Sequence, residues 1–166
     1  MVGAMDAKVL KALNEQLNSE LYSAYLYLSM AAFFDSKGLS GFAHFMKVQA
    51  KEELEHAMKF YEYINSRGGR VELYAIQEPP REWASVTDAI RAALEHERSV
   101  TRAIHKLVDL AKEADDKATE VFLHWFVEEQ VEEEKMFSDI LQLLELAGET
   151  PQALLMLNAK LGERKA

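Results

Sequence analysis

Phe42 to Phe60, FAHFMKVQAKEELEHAMKF, is the stretch on which the fold turns. Phe42, Phe45, Met46, Gln49, Glu53, His56 and Phe60 recur at steps of three and four, the spacing that returns side chains to one face of an α-helix. Aromatic residues at both ends place that face in a core, so the Gln, Glu and His between them cannot all rotate to solvent. Phe122 to Phe137, FLHWFVEEQVEEEKMF, repeats the design, with Phe122, Phe126, Gln130, Glu133 and Phe137 in line.

Outward from these stretches the chain reads as one all-α domain over residues 1–166. A first helix is expected over about 7–35, with Leu10, Leu13, Leu17, Ala24, Tyr27, Leu28 and Ala31 on its apolar stripe, and Ser36-Lys37-Gly38 closes it. The second covers about 41–66. Ser85 caps a third over about 85–111, and a fourth covers about 117–147, burying Phe122, Phe126, Phe137, Ile140 and Leu144 before Gly148 stops it. Thr150-Pro151 reads as N-cap and first residue of a short helix over about 151–161, with Leu154, Leu155, Leu157 and Leu161 to hide. That segment is too short to stand alone and is expected to dock on its own bundle or on a neighbouring subunit, serving assembly more than metal chemistry.

Between the second and third helices, about 68–84, periodicity fails and Pro79-Pro80 forbids a helix. Two hairpins joined end to end need only a short turn, so a long connector predicts a crossover along the bundle's length. Its roughly 17 residues at about 3.3 Å each outreach the ~40 Å of a long helix. The expected fold is a four-helix bundle with one long crossover and a short fifth helix.

Each long helix carries polar side chains near its midpoint on the apolar stripe: Glu20, then Glu53 with His56, then Glu97, then Gln130 with Glu133. Thirty-three residues separate Glu20 from Glu53 and likewise Glu97 from Gln130, and the midpoint of each pair falls in its hairpin turn. Residues equidistant from a turn lie at one height. Adding 77 to 20, 53 and 56 gives 97, 130 and 133, so the two halves repeat one plan. Docking them gathers four carboxylates, an imidazole and an amide at mid-bundle, which is unfavourable without a cation. Two Fe(II) ions would neutralise the carboxylates, and such an O-rich set suits iron or manganese better than zinc. Alone, the pieces are weak: the run EEQVEEE over 128–134 is by itself more often surface charge, and His44, His96, His105 and His124 are read as structural.

Composition narrows the classes further. A formal charge of −9 argues against nucleic acid or anionic lipid as a partner. No apolar stretch is long enough to span a membrane, the longest being interrupted between Leu21 and Phe34 by Tyr and Ser. Without Cys there is no disulfide, thiolate site or cysteine nucleophile, and a cytoplasmic setting is expected. Met1 to Met5 leaves no room for a secretory signal, and Met1 to Ala4 reads as an added start as readily as a native one.

LNEQLNSELYSAYLYLSM, AKEELEHAMKF, EHE at 95–97 and HWFVEEQVEEEKMF resemble the non-haem ferritins of bacteria and archaea over nearly the whole chain. The resemblance implies iron storage with ferroxidase activity: Fe(II) is oxidised by O2 or peroxide and deposited as ferric mineral in a hollow shell of twenty-four subunits. By position, Glu20, Glu53 and His56 match the family's first iron site, and Glu53, Glu97 and Glu133 the second, with Glu53 bridging. Gln130 matches a residue beside the second iron, and Glu52, Glu129, Glu132 and Glu133 match a third iron site. Tyr27 and Trp125 match aromatics near the centre, although a core role for Trp125 competes with a redox one. Bacterioferritins have a Glu-x-x-His where this chain has Gln130 to Glu133, and a haem-ligating Met where it has Leu54, so no haem is expected. Two readings of other classes stand beside this one: a metal-free interaction module, and a soluble di-iron oxidase that stores nothing.

Overall fold

The computed structural model describes residues 4–166; Met1 to Gly3, part of the start in question, lie outside the described residues. Five helices follow in order: α1 (Ala7–Ser36), α2 (Ser40–Ser66), α3 (Val86–Glu113), α4 (Lys117–Ala147) and α5 (Pro151–Leu161). The architecture is the expected crossover bundle. α1 packs along α2 and α3 along α4, with α1 also against α3 and α5 against α2. Three-residue turns join the helices of each hairpin, which forces antiparallel neighbours.

Local chemistry explains the ends. Asp6 accepts from the backbone N–H groups of Lys8 and Val9, Ser85 from Asp88, Asp116 from Thr119, and Thr150 from Ala153. Gly38 turns the chain into α2 with φ +77°, a conformation that strains any residue with a Cβ. α2 has no capping side chain of its own; Asn158 of α5 supplies one, its Oδ1 accepting from Gly41 N at 2.7 Å and Phe42 N at 3.1 Å. α5 therefore docks on its own bundle.

The connector from Arg67 to Ser85 runs along α1, held by a ladder of asparagines one turn apart. Asn14 bonds Arg70 O and Glu72 N, and Asn18 bonds Glu72 O and Tyr74 N, all within 2.8 to 3.0 Å. Farther along α1, Ser29 donates to Pro80 O at 2.6 Å. These bonds satisfy backbone groups that an irregular segment would otherwise leave unpaired.

The apolar interior is divided in two. One cluster holds Tyr27, Met30 and Phe34 with Phe42, Met46, Ile90, Leu94, Phe137 and Leu144. The other holds Leu13 and Leu17 with Phe60, Ile64, Ile104, Leu123 and Phe126. The polar side chains fall on each helix between these clusters, so the centre is a buried polar layer sealed above and below by hydrocarbon. Burial departs from expectation at three stripe positions: Leu28 is 51% and Leu155 65% exposed, while α4 buries Leu123 more fully than Phe122. α1 carries more apolar residues than one face can hide. Leu28 lines an outer groove with Tyr25, Leu54 and Ile76. Among the described residues no helix is long and apolar enough to cross a membrane.

Candidate metal centre

Glu20, Glu53, His56, Glu97, Gln130 and Glu133 are all buried, and α1, α2, α3 and α4 each contribute. Their ligand atoms converge in two groups that share one member: Glu20, Glu53 and His56, and Glu53, Glu97 and Glu133. Within each group these atoms lie within 4.8 Å of one another, near the ~4 Å between ligands on opposite sides of a cation with bonds of about 2.1 Å. His56 and Glu133 form a third group with the half-buried Glu129.

Hydrogen bonds hold most of these atoms in place. Gln16 Nε2 donates to Glu20 Oε1 at 3.1 Å, and Gln49 Nε2 donates to Glu53 Oε1 at 2.9 Å and Glu133 Oε2 at 2.7 Å. The Tyr27 hydroxyl donates to Glu97 Oε1 at 3.0 Å. Gln130 Nε2 lies 3.4 Å from Glu97 Oε2 and also donates to Glu97 O and Thr101 Oγ1. Among the described residues two buried atoms have no hydrogen-bond partner, Glu20 Oε2 and His56 Nδ1. They lie 3.9 Å apart, with Glu53 Oε2 3.3 Å from the same nitrogen. Buried polar atoms are rarely left unpaired, and a group of lone pairs aimed at one point fits a divalent cation.

The electrostatics agree. Burial drives Glu20 well above the usual carboxylate range, and the charge of Glu53 adds to it. Burial does the same to Glu53, reinforced by Glu97. Glu97 is pushed up to about 8 by burial and then by Glu133 and Glu20. Glu133 rises to about 7 by burial, against the opposing hydrogen bond from Gln49. Burial and Glu97 also raise the Tyr27 phenol well above its ordinary value. The cluster prefers protons to bare charge, and a bound cation would displace them.

The remaining candidates are more peripheral. Glu52 is half-buried and paired with Arg164, while Glu132 is exposed and belongs to none of the three groups. Trp125 meets His56 edge-on, ring centroids 5.3 Å apart, with Lys59 Nζ 3.3 Å from its own centroid. A pocket of about 210 Å³ lined by Glu52, Glu55, His56, Lys59, Trp125 and Glu129 opens this side of the centre to the surface. Sequence reasoning placed Gln49 in the core without giving it a role, and overlooked Gln16, Thr101 and Arg164. For the glutamines a signal existed: each precedes a centre Glu by four residues, the spacing at which helix side chains meet.

Comparisons with known proteins point the same way. The profile of the ferritin-like domain family matches residues 10–147. The chain is 39% identical over 160 residues to a bacterial non-heme ferritin of Staphylococcus aureus, covering 96% of each chain. It is 40% identical over 158 residues to a probable bacterial non-heme ferritin-like protein of Haemophilus influenzae, covering 95% of this chain and 96% of the relative. Among solved structures, it is similar to an open pore ferritin from Archaeoglobus fulgidus, with 52% identity and a TM-score of 0.96 over 97% of this chain and 98% of that one.

Proposed function

This chain belongs to the ferritin family, as a non-haem ferritin that stores iron and oxidises it, and from that premise we propose how its buried side chains divide the work. Glu20, Glu53 and His56 bind one Fe(II); Glu53, Glu97 and Glu133 bind a second, with Glu53 bridging. The observation that carries this reading is the sharing of Glu53 between two buried ligand groups, one of which has two unpartnered atoms facing each other. Gln130 acts on the second ion by orienting Glu97, to whose carboxylate its amide is turned.

Iron is the substrate here. Two Fe(II) give up two electrons, which reduce O2 to peroxide with uptake of two protons, or peroxide to two waters with the same uptake. The chain's own contribution is to hold the pair together, to exclude bulk water with the two apolar clusters, and to exchange carboxyl protons for metal. Tyr27, hydrogen-bonded to Glu97, is positioned to orient that ligand while its phenol stays protonated. Glu129, with Glu52 and Glu132 beyond it, forms an acidic route between the centre and the side pocket, where a third iron would rest in transit.

The family implies an oligomeric shell, and we propose one of twenty-four copies in the cytoplasm. The exposed apolar residues fit burial between copies: Tyr25, Leu28, Leu54 and Ile76 on α1, α2 and the crossover, and Leu146, Leu155 and Met156 near α5. Iron loading measured with particle size tests the whole reading. A large particle retaining many irons per chain is expected. A monomer or dimer that oxidises iron but holds only a few per chain would leave a di-iron oxidase, and failure to oxidise Fe(II) would leave an interaction module.

A further inference from the structure

Arg164, after α5, reaches a side chain that holds the metal centre. α5 is seated on α2 by the Asn158 cap, and the approach is close: a Cβ on Gly41 would fall 1.7 Å from Asn158 O. This seat brings the segment after α5 against α2, where Arg164 O meets His44 Nε2 at 2.7 Å. The Arg164 side chain is only 15% exposed, with its guanidinium carbon 4.3 Å from the Phe45 ring centroid. Nη1 donates to Phe45 O at 3.1 Å, while Nη2 donates to Gln49 Oε1 and Glu52 Oε2, both at 2.9 Å.

Gln49 is completely buried and its amide is fully used. Its oxygen accepts from Arg164, and its nitrogen donates to Glu53 on α2 and Glu133 on α4. Turned over, the amide would put its N–H groups against a guanidinium that can only donate and its oxygen against two carboxylates. The arginine thus fixes the oxygen end of the amide, and with it the orientation in which the nitrogen faces both carboxylates.

We propose that Arg164 is a positioning residue for the iron centre, locking the Gln49 amide so that it holds the Glu53 and Glu133 carboxylates, from two helices, at metal-binding spacing. The inference rests on the reading of Glu53 and Glu133 as iron ligands. It assigns the C-terminal tail a part in iron binding, beside any part α5 has in assembly.

Anaerobic Co(II) binding to the full-length, assembled protein, followed by visible absorption, tests the proposal, with the initial rate of Fe(II) oxidation as second readout. Arg164→Met keeps the stem on Phe45 and removes the fork. It should weaken Co(II) binding by up to about ten-fold, the cost of losing Gln49 itself as an outer partner of two ligands, and alter the Co(II) spectrum. Gln49→Leu should match it, and adding Arg164→Met to Gln49→Leu should cost less than about two-fold more, since a lock without its bolt has nothing to lose. Arg164→Lys, which retains one donor for Gln49 Oε1, should restore part of the loss; if Arg164→Met does not assemble, the Lys variant carries the same cycle. Wild-type affinity and spectrum in Arg164→Met would overturn the proposal, as would a full, additive loss in the Gln49→Leu background. Glu53→Ala separates the two levels: if it too binds Co(II) like wild type, the ligand assignment fails; if it does not, while Arg164→Met does, only the positioning role fails.

Discussion

The two hairpins repeat one plan, yet they hold their ends of the metal centre by different means. In the α1–α2 half, Glu20 and Glu53 each receive a hydrogen bond from a glutamine one turn earlier on the same helix. In the α3–α4 half, the positions offset by 77 from those glutamines are Ala93 and Phe126. Support there arrives from elsewhere: Tyr27 reaches across to Glu97, Gln49 to Glu133, and Gln130 to Glu97 across its own hairpin. The same offset turns His56 into Glu133 and Glu53 into Gln130. A near-symmetric scaffold thereby carries an asymmetric site. One group has an imidazole and two unpartnered atoms, and the other is all carboxylate, with oxygens from Glu53, Glu97 and Glu133 each hydrogen-bonded.

The comparison breaks most sharply at the shared member. Glu53→Ala removes a ligand from both groups and should slow rapid Fe(II) oxidation by at least about 100-fold, since losing even an outer partner of a ligand costs about 10–100-fold. Of the two groups that share Glu53, His56→Ala strips only the first, and it should lower anaerobic Co(II) binding from two ions per chain to one, with a smaller loss of rate. Circular dichroism of both metal-free variants should keep wild-type helix content. Equal effects from the two substitutions would mean the groups are not divided at Glu53.

Protonation offers a second cut between the halves. Glu97 and Glu133 have folded values of about 8 and about 7, above the ordinary 4.5, so the metal-free fold binds more protons than the unfolded chain between those limits. Stability supplied by the protonated carboxyls is therefore complete below about pH 4.5 and is lost as pH rises through 7 and 8, at roughly 1.4 kcal/mol per pH unit for each group. Denaturant titrations of the metal-free protein at pH 5 and pH 8 should show the higher stability at pH 5, and Glu133→Gln should flatten the slope by about one group's share. Co(II) affinity should move the opposite way, rising with pH as the competing protons leave. A metal-free protein equally stable at both pH values would contradict the burial of ionisable carboxyls in this layer.

The smallest effect is expected at the rim. Glu129→Gln should change the first fast phase of oxidation by less than about two-fold, an effect within the reach of altered screened charge near a site, while slowing the later departure of iron. Glu132→Gln should do less, because Glu129 shares a ligand group with His56 and Glu133 whereas Glu132 is exposed. Stopped-flow traces carried to completion distinguish the phases. Loss of the first phase in either variant would move that residue into the centre itself.

Much of the bundle was legible because helices advertise themselves by period. Phe42 to Phe60 and Phe122 to Phe137 reveal which residues share a face, and equal distances from a turn reveal which share a height. Both are local or arithmetic properties of an antiparallel hairpin, so Glu20, Glu53, His56, Glu97, Gln130 and Glu133 group together from residue numbers alone. Leu28 and Leu155 are exposed despite their apolar spacing for the same reason: periodicity identifies an apolar face but not whether the neighbouring helix covers it. The asparagine ladder of Asn14 and Asn18 left no signal beyond a spacing of four, since its partners lie in an aperiodic connector more than fifty residues away.

The helices, their pairing and the six side chains that meet at mid-bundle follow from the order of residues alone, because a helical repeat converts residue number into face and height. How those side chains are held depends on packing in three dimensions. The bonds from Tyr27 to Glu97, Gln49 to Glu133 and Arg164 to Gln49 span 70, 84 and 115 residues, and no periodicity relates their ends. A hydrogen bond depends on tenths of an ångström and on which way an amide is turned, and those are set by how helices pack against one another and where the tail comes to rest.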